Sequence, residues 1–543
     1  MLGFIHFDRS GLKNHQTEML VAQDRIGELV RNRYVIIRNP AENPGVPHKE
    51  FLGRLVEGPF FNPEELSRES ALTQTAILRG DRFPVVPSFY AVGGIELLGE
   101  LRGEQLFGAS TRPTPQATVE DIAEERLHAI LHIHGAALLG RMDGYDDLRV
   151  YLDPEDKAVL PRNVGIFGTV GSGKTNTSQA LIEEAAKSGY AVIVLDVEGE
   201  YVAMDRPTQL LGDVLTSYGL ESHGLDDFYV YYPHSSETAR ASGDARAFTL
   251  RTADLDPLVL SELIEAAEAQ ERRLLEVIDD LMRRNRPVGD DTSSQTSLRG
   301  VLTHGEEGDG RYTLQDIIDK IDEWAFTGRS TGRGQQRPAT GADLASYLAL
   351  KGKLGSLRRT RAFDVPGAQP IRVDELLVAG RVSIFDVSYT ADRLKNLVIA
   401  QLLKKVFEAK VDDPSLPKTL IFIEEAHTFI SSERVGRMQE TVEMLREIAR
   451  RGRKRWLGLV FISQQPAHLP AEIFELCNTR IVHNIKSAAN LRSLRLTGGD
   501  VSEEMWNLVP SLGVGQAVIS TPQYRDPLVV NVRPCTTMRQ FVD

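Results

Sequence analysis

Residues 163–175 read NVGIFGTVGSGKT. An apolar run, Val164 to Phe167, leads into Gly168, Thr169, Val170, Gly171, Ser172, Gly173, Lys174 and Thr175, which has the Gly-x-x-x-x-Gly-Lys-Ser/Thr spacing of a phosphate-binding loop. Glycines let successive backbone N–H groups turn inward and converge on phosphate oxygens, where side chains would stand in the way. Lys174 is expected to meet the β- and γ-phosphates as a point charge, and the Thr175 hydroxyl to ligate Mg2+. Asn176 opens a helix that runs to Lys187, with Ala180, Leu181, Ala185 and Ala186 at helical spacing; its positive end faces the same phosphates, and Gly189 supplies its stop. The competing reading is an ordinary Gly-rich turn. A strand-like run before the glycines and a helix-like run after them favour the loop and predict a nucleoside triphosphate as ligand.

The chain has 543 residues, enough for several domains, and its 41% hydrophobic and 26% charged content is that of an ordinary soluble globular protein. No window approaches ~18 unbroken apolar residues, so neither a membrane span nor a membrane partner is expected. The start, MLGFIHFDRS, has neither a basic opening nor a long apolar core, so no secretion signal is expected. Two cysteines, Cys477 and Cys535, supply neither a disulfide framework nor a zinc site, and the expected setting is reducing cytoplasm. A net charge of −13 argues against a surface coated in basic residues, yet a nucleic-acid channel needs only local positive charge.

Residues 1–110 alternate short apolar runs (Tyr34–Ile37, Phe51–Val56) with turn-rich pieces such as NPAENPG, which predicts a small β domain, a barrel or a sandwich. Its His6 and His15 read as surface or packed histidines. Residues 111–150 read as a linker and entry to the core, opening on the Pro-containing piece STRPTPQ. An α/β core begins at 151–257, where the strand Ala191–Leu195 ends in Asp196. A carboxylate there either serves the Mg2+ or the attacking water, or is a helix cap or part of a solvated turn. Residues 258–361 change to helical spacing and predict an insertion: one long amphipathic helix over 260–282, a second capped by Thr313, and a third from about Ala342. The insertion is either a site of subunit or partner contacts or an inert bundle. The core resumes over 362–543 with strands ending at Asp386, at Glu424-Glu425 and at Ser463-Gln464-Gln465. Two further strands, Arg480–Val482 and Gln516–Ile519, complete a mostly parallel sheet covered on both faces.

Three stretches carry chemistry besides the loop. IFIEEAH (421–427) has the form of a Walker B segment: Glu424, where Asp is usual, would hold the Mg2+ shell, and Glu425 would polarise water as general base. Gln464, at the end of the next strand, either senses the γ-phosphate or is a turn residue before Pro466. Residues 446–455 hold six basic side chains in ten, with Arg446 and Arg450 on one helix face and Gly452 marking its end. Such a run is either a solvated face or the source of an arginine that reaches a neighbouring subunit's phosphate.

With these pieces in line, the chain resembles the HerA-type ATPases of the HerA–FtsK superfamily, through PRNVGIFGTVGSGKT, VLDVEGEY, IFIEEAH, REIARRGRKRWLGLVFISQQP, CNTRIVHNI and PSLGVGQAVIS. The resemblance implies a RecA-like P-loop core with an N-terminal β-barrel and a helical insertion. It also implies a homohexamer around double-stranded DNA that uses ATP and Mg2+ to translocate, working with a partner nuclease or other effector in DNA end processing or phage defence. Carried over, Lys174 and Thr175 hold phosphate and Mg2+, Asp196 is the second-strand acid and Glu425 the catalytic glutamate. Arg450 best matches the family's arginine finger, with Arg451 and Arg453 in contention, and Arg162 matches another functional arginine. Two departures stand out: Glu424 for the usual Asp, and Glu198 where His is common. In such rings the loops after central strands face the pore, which makes Arg434 and Arg437 of SSERVGR (431–437) the expected phosphate contacts of DNA. A motor that moves along duplex is the leading expectation. An ATPase ring that scaffolds an effector with little movement is the alternative, and a pump for peptides or conjugation is disfavoured by the missing membrane segment.

Overall fold

The computed structural model describes residues 1–6, 15–40, 48–62, 74, 78, 89–284, 312–328, 337–428, 439–499 and 501–540. The chain packs as two compact units. The first joins Met1–Val159, Phe167–Thr177 and Asn478–Arg533; the second joins Leu160–Ile166, Ser178–Cys477 and Pro534–Asp543.

The first unit contains a closed barrel. Its strands are β1 (Gly3–Ile5), β2 (Gln16–Ala22), β3 (Tyr34–Arg38), β4 (Glu50–Asn62), β5 (Tyr90–Arg102), β6 (Gln105–Phe107) and β7 (Thr118–Asp121). The order β2-β1-β7-β3-β4-β5 closes through a β2–β5 pairing, and β6 hangs on β5. Closure removes the free edges that an open sheet would offer to other chains. Met19, Val21, Val35, Ile37, Phe51, Leu55, Ile95 and Val119 fill the interior. The β4–β5 pairing shifts register between Leu52 and Gly53 and again between Leu55 and Phe60, bulges that bend these two long strands around the barrel. Of the two sheet architectures left open by the sequence, the barrel is the one formed. The stretch read as linker supplies a barrel strand: β7 pairs with both β1 and β3. Its four residues follow a Pro-rich turn and bury one side chain within the strand, Val119, too short a pattern to register as alternation.

The same unit holds β8 (Ala137–Met142), β9 (Arg149–Leu152), β18 (Thr479–Val482), β19 (Gln516–Ser520) and β20 (Leu528–Val532). They pair antiparallel in the order β18-β19-β20-β8-β9. A buried polar knot joins the barrel to this sheet's loops: Arg54 pairs with Glu96 and lies 3.7 Å from Asp526, which accepts the Tyr34 hydroxyl at 3.0 Å. Burial pushes the Asp526 carboxyl up to about 6 against the pull of Arg54.

The second unit is built on β10 (Val164–Phe167), β11 (Ala191–Asp196), β12 (Phe228–Pro233), β13 (Arg246–Thr249), β14 (Gln369–Pro370), β15 (Val382–Asp386), β16 (Thr419–Ile423) and β17 (Leu457–Ser463). Their order is β14-β13-β12-β15-β11-β16-β17-β10, and every pair from β14 to β17 is parallel. Strands β10, β11, β15, β16 and β17 are buried at every residue, as their unbroken apolar runs demand of a sheet covered on both sides. The strand ending in Ser463 lies between the acid-bearing β16 and the loop-bearing β10.

The described residues between 257 and 361 are mostly helical, but the first element is two helices, Pro257–Leu263 and Glu268–Arg284. Glu265 adopts a left-handed φ of +49°, and the Gln270 side chain caps the Ala267 N–H at 3.0 Å. No Gly or Pro marks this break, so helical spacing alone runs straight through it. The second helix, Leu314–Asp322, carries the expected cap in full: Thr313 and Asp316 form a reciprocal capping box. The third runs Gly341–Arg359. Both cysteines are buried thiols. Among the described residues no helix is long and apolar enough to cross a membrane.

Candidate active site

The loop Gly168–Thr175 leaves the end of β10 and enters the helix Lys174–Lys187. Gly173 has a φ of +112°, which a residue with a Cβ adopts only under strain, and a Cβ on Gly168 would stand 2.5 Å from Ser172 Oγ. The loop closes on one carbonyl: Thr169 O accepts Ser172 Oγ at 2.7 Å and Lys174 Nζ at 3.0 Å. Its outer wall comes from the C-terminal segment of the same unit. Thr169 donates its N–H and its hydroxyl to Asn484 O at 2.9 and 3.0 Å, Gly515 donates its N–H to Ser172 O at 3.0 Å, and Asn176 Nδ2 donates to Arg533 O at 2.9 Å. His483, fully buried on this wall, lies 2.9 Å from the Thr177 hydroxyl. Val170 and Gly171 are exposed at the tip. Backbone N–H groups at such a glycine-rich turn into a helix form a concavity for phosphate.

The acids belong to the second unit. Asp196 is fully buried and gathers its own turn, accepting N–H groups from Gly199 (2.7 Å), Glu200 (3.2 Å) and Tyr201 (2.9 Å). Glu424 Oε2 accepts the N–H groups of Val197 and Glu198 at 3.1 and 3.3 Å, so it is tied to that same turn. Burial pushes Asp196 up to about 7, opposed by a hydrogen bond from Glu424. Burial, and then the charge of Asp196, drive Glu424 well above the carboxylate range. Both shifts run the same way, because two carboxyls buried side by side resist being charged together. Glu198, Glu200 and Glu424 bring carboxylate oxygens within 4.8 Å of one another, a set of hard oxygen donors that suits Mg2+. Glu198, the departure from the family's His, thus adds an acid to the site. Asp386 is occupied structurally, accepting from Thr238, Ala239 and Ser388.

Glu425 is buried to 6% exposure and holds a φ of +44°, a conformation that costs a non-glycine residue of the order of 1 kcal/mol and is found at functional positions. Its Oε2 lies 3.0 Å from His427 Nδ1, which is in turn 3.3 Å from Ser463 Oγ. Ser463 Oγ also takes the Gln465 N–H, so the ends of β16 and β17 are joined next to half-buried Gln464.

The arginines follow on the helix Gln439–Arg451 and the 3-10 turn Gly452–Arg455. Arg450 is exposed and makes no ion pair among the described residues; Arg451 is held by Glu447 at 2.6 Å, and Arg453 is half-buried. Arg162 is exposed at the start of β10. Arg434 and Arg437 lie outside the described residues. The residue that anchors the arginine helix was missed in the sequence: buried Asn163, at a left-handed φ of +62°, donates to Ala449 O (3.3 Å) and Leu476 O (3.1 Å) and accepts from Leu459 N (3.1 Å). Asn163→Ala strands these groups without partners and is expected to destabilise the second unit by roughly 3 kcal/mol. The check is the urea midpoint, which should fall; an unchanged midpoint would mean that the three groups find water instead.

A glycine-rich loop after a strand, a parallel sheet and paired acids at the end of its central strand define the RecA-like P-loop ATPases. The pattern described as the central domain of helicase HerA matches residues 137–406, and that of the HerA-like C-terminal region matches 375–538. The chain belongs to the HerA helicase family, and it is an ATP-hydrolysing enzyme. The probable DNA double-strand break repair helicase HerA of Methanocaldococcus jannaschii is 23% identical over 456 residues, covering 81% of this chain and 85% of that protein. The DNA double-strand break repair helicase HerA of Pyrococcus furiosus is 21% identical over 485 residues, covering 81% and 77%. Among solved structures, VirB4 of Thermoanaerobacter pseudethanolicus is similar at a TM-score of 0.49 and 13% identity over 73% of this chain and 96% of that one.

Proposed function

We propose that this chain is an ATP-driven translocase or helicase on double-stranded DNA, working as a homohexamer with a partner nuclease or other effector in DNA end processing or phage defence. One observation carries the reading: a buried, backbone-strained glutamate, Glu425, directly follows the acid-bearing strand of a chain whose Gly168–Thr175 loop is built for phosphate. The likeness to proteins named as DNA double-strand break repair helicases supports duplex DNA as the track.

In this reading the loop from Gly168 to Asn176 cradles the phosphates and Lys174 neutralises their charge. Thr175 and Glu424 would hold Mg2+, with Glu198 and Glu200 beside Glu424, and the ion would draw charge from the phosphate oxygens. Asp196 acts through Glu424 by holding the turn whose N–H groups Glu424 accepts. Glu425 polarises the attacking water, His427 orients Glu425, and Gln464 responds to the γ-phosphate. Arg450 reaches a neighbouring subunit's phosphate, with Arg451, Arg453 and Arg162 around it. Arg434 and Arg437 contact DNA phosphates.

The test is ATP turnover against linear duplexes of increasing length and salt. Turnover should rise with length until the duplex threads the ring. DNA affinity should fall with salt at a log–log slope near −0.9 per phosphate contact, as a rough guide. Length-independent turnover that responds only to an effector would favour the scaffold over the motor.

A further inference from the structure

The imidazole of His483 has no part in the roles above, yet it is wholly buried against the phosphate loop. We infer that His483 is a positioning residue of that loop, fixing the first helical turn after Lys174 through one hydrogen bond on each ring nitrogen. This rests on the nucleotide-binding reading of residues 168–175.

The tautomer follows from the partners. Nδ1 lies 2.9 Å from the Gln516 carbonyl oxygen, which only accepts, so Nδ1 carries the proton. Nε2 is then the acceptor, and the Thr177 hydroxyl donates to it at 2.9 Å. Burial, with the charge of Lys174 adding to it, pulls the imidazole down to about 4, so the ring stays neutral and keeps this pattern at neutral pH. The fit on the loop side is close. His483 donates its own N–H to Phe167 O at 2.8 Å, where β10 gives way to the loop. A Cβ on Gly168 would come within 2.7 Å of His483 Cβ, and one on Gly173 within 3.6 Å of Cε1.

The other side of the ring is equally fixed. The Gln516 side chain donates to Asp143 Oδ1 (3.1 Å) and Asn531 Oδ1 (2.9 Å) and accepts the Gly513 N–H (2.8 Å). Asp143 in turn accepts Asn32 Nδ2 of the barrel domain at 2.7 Å. The imidazole therefore stands between the phosphate loop and a satisfied polar chain that ends on the barrel. A histidine that only filled space would need no hydroxyl at position 177 and no carbonyl at position 516 aimed at its two nitrogens.

The experiment measures affinity for a fluorescent ATP analogue, together with KM and kcat, on the full-length protein. Thr177→Val keeps the side-chain shape and removes the donor. His483→Phe keeps a ring and removes both nitrogens. His483→Gln restores an acceptor toward Thr177. Thr177→Val and His483→Phe are each expected to weaken nucleotide binding about tenfold, the size of one buried hydrogen bond, with kcat at saturation within about twofold. The double variant should be no worse than the weaker single, and His483→Gln should recover most of the affinity. Lys174→Ala, run alongside, separates two failures. If it binds nucleotide as the wild type does, the loop reading falls. If it loses binding while Thr177→Val keeps wild-type affinity and KM, the role of His483 falls alone.

Discussion

Glu425→Gln is expected to lower ATP turnover by ~10²–10⁴, the usual contribution of a positioned general base, while leaving nucleotide affinity within about threefold. The substitution is nearly isosteric, so the packing of a residue at 6% exposure survives. What it removes is the negative charge proposed to draw a proton from water. His427 Nδ1, 3.0 Å from the carboxylate, still faces an oxygen of the amide, so the strained backbone at φ +44° has no new reason to relax. The pair of measurements is phosphate release and equilibrium binding of an ATP analogue. Turnover lost with binding retained is the expected pattern. Binding and turnover lost together would make Glu425 a structural residue, and turnover retained would move the base elsewhere.

Arg450→Ala carries the other large effect, a loss of ~10³–10⁵ in turnover if the guanidinium stabilises charge on a neighbouring subunit's γ-phosphate. Its surroundings favour it over its neighbours. Arg450 projects into solvent with no ion pair among the described residues, whereas Arg451 is engaged by Glu447, and Arg453 is half-buried on the turn beyond Gly452. An arginine committed to a partner on its own helix must break that contact before it reaches across. Arg451→Ala should therefore cost much less than Arg450→Ala. Subunit mixing decides whether the residue acts in trans. Arg450→Ala chains added to wild-type chains should depress turnover per wild-type chain, because each variant starves its neighbour. Turnover strictly proportional to the wild-type fraction would place the residue outside any shared site.

The parts legible in the sequence are those whose partners are close in the chain. Gly171 and Gly173, both at positive φ, announce themselves because a glycine-rich turn is a local pattern. Glu424 and Glu425 do so because an apolar strand ending in two acids is a local pattern. The capping box at Thr313 is legible for the same reason. What stayed hidden acts over long separations. His483 meets Thr177 across 306 positions, and Asn163 meets Ala449 and Leu476 across 286 and 313, distances over which spacing carries no signal. A lone buried His or Asn also looks like any other. The engagement of Asp196 and Glu424 with one turn was hidden too, since strand order, not sequence, makes β11 and β16 neighbours. The helix break at Glu265 needed no Gly or Pro, and β7 was too short to show a period.

The most direct test of a motor is movement itself. A third DNA strand bound in the major groove of a linear duplex reports any protein that travels along it. With ATP, the wild-type chain should displace the third strand at a rate that falls as the distance to it grows, and Glu425→Gln should displace none. ATP hydrolysed at full rate with the third strand left in place would contradict translocation and leave an ATPase that does not travel.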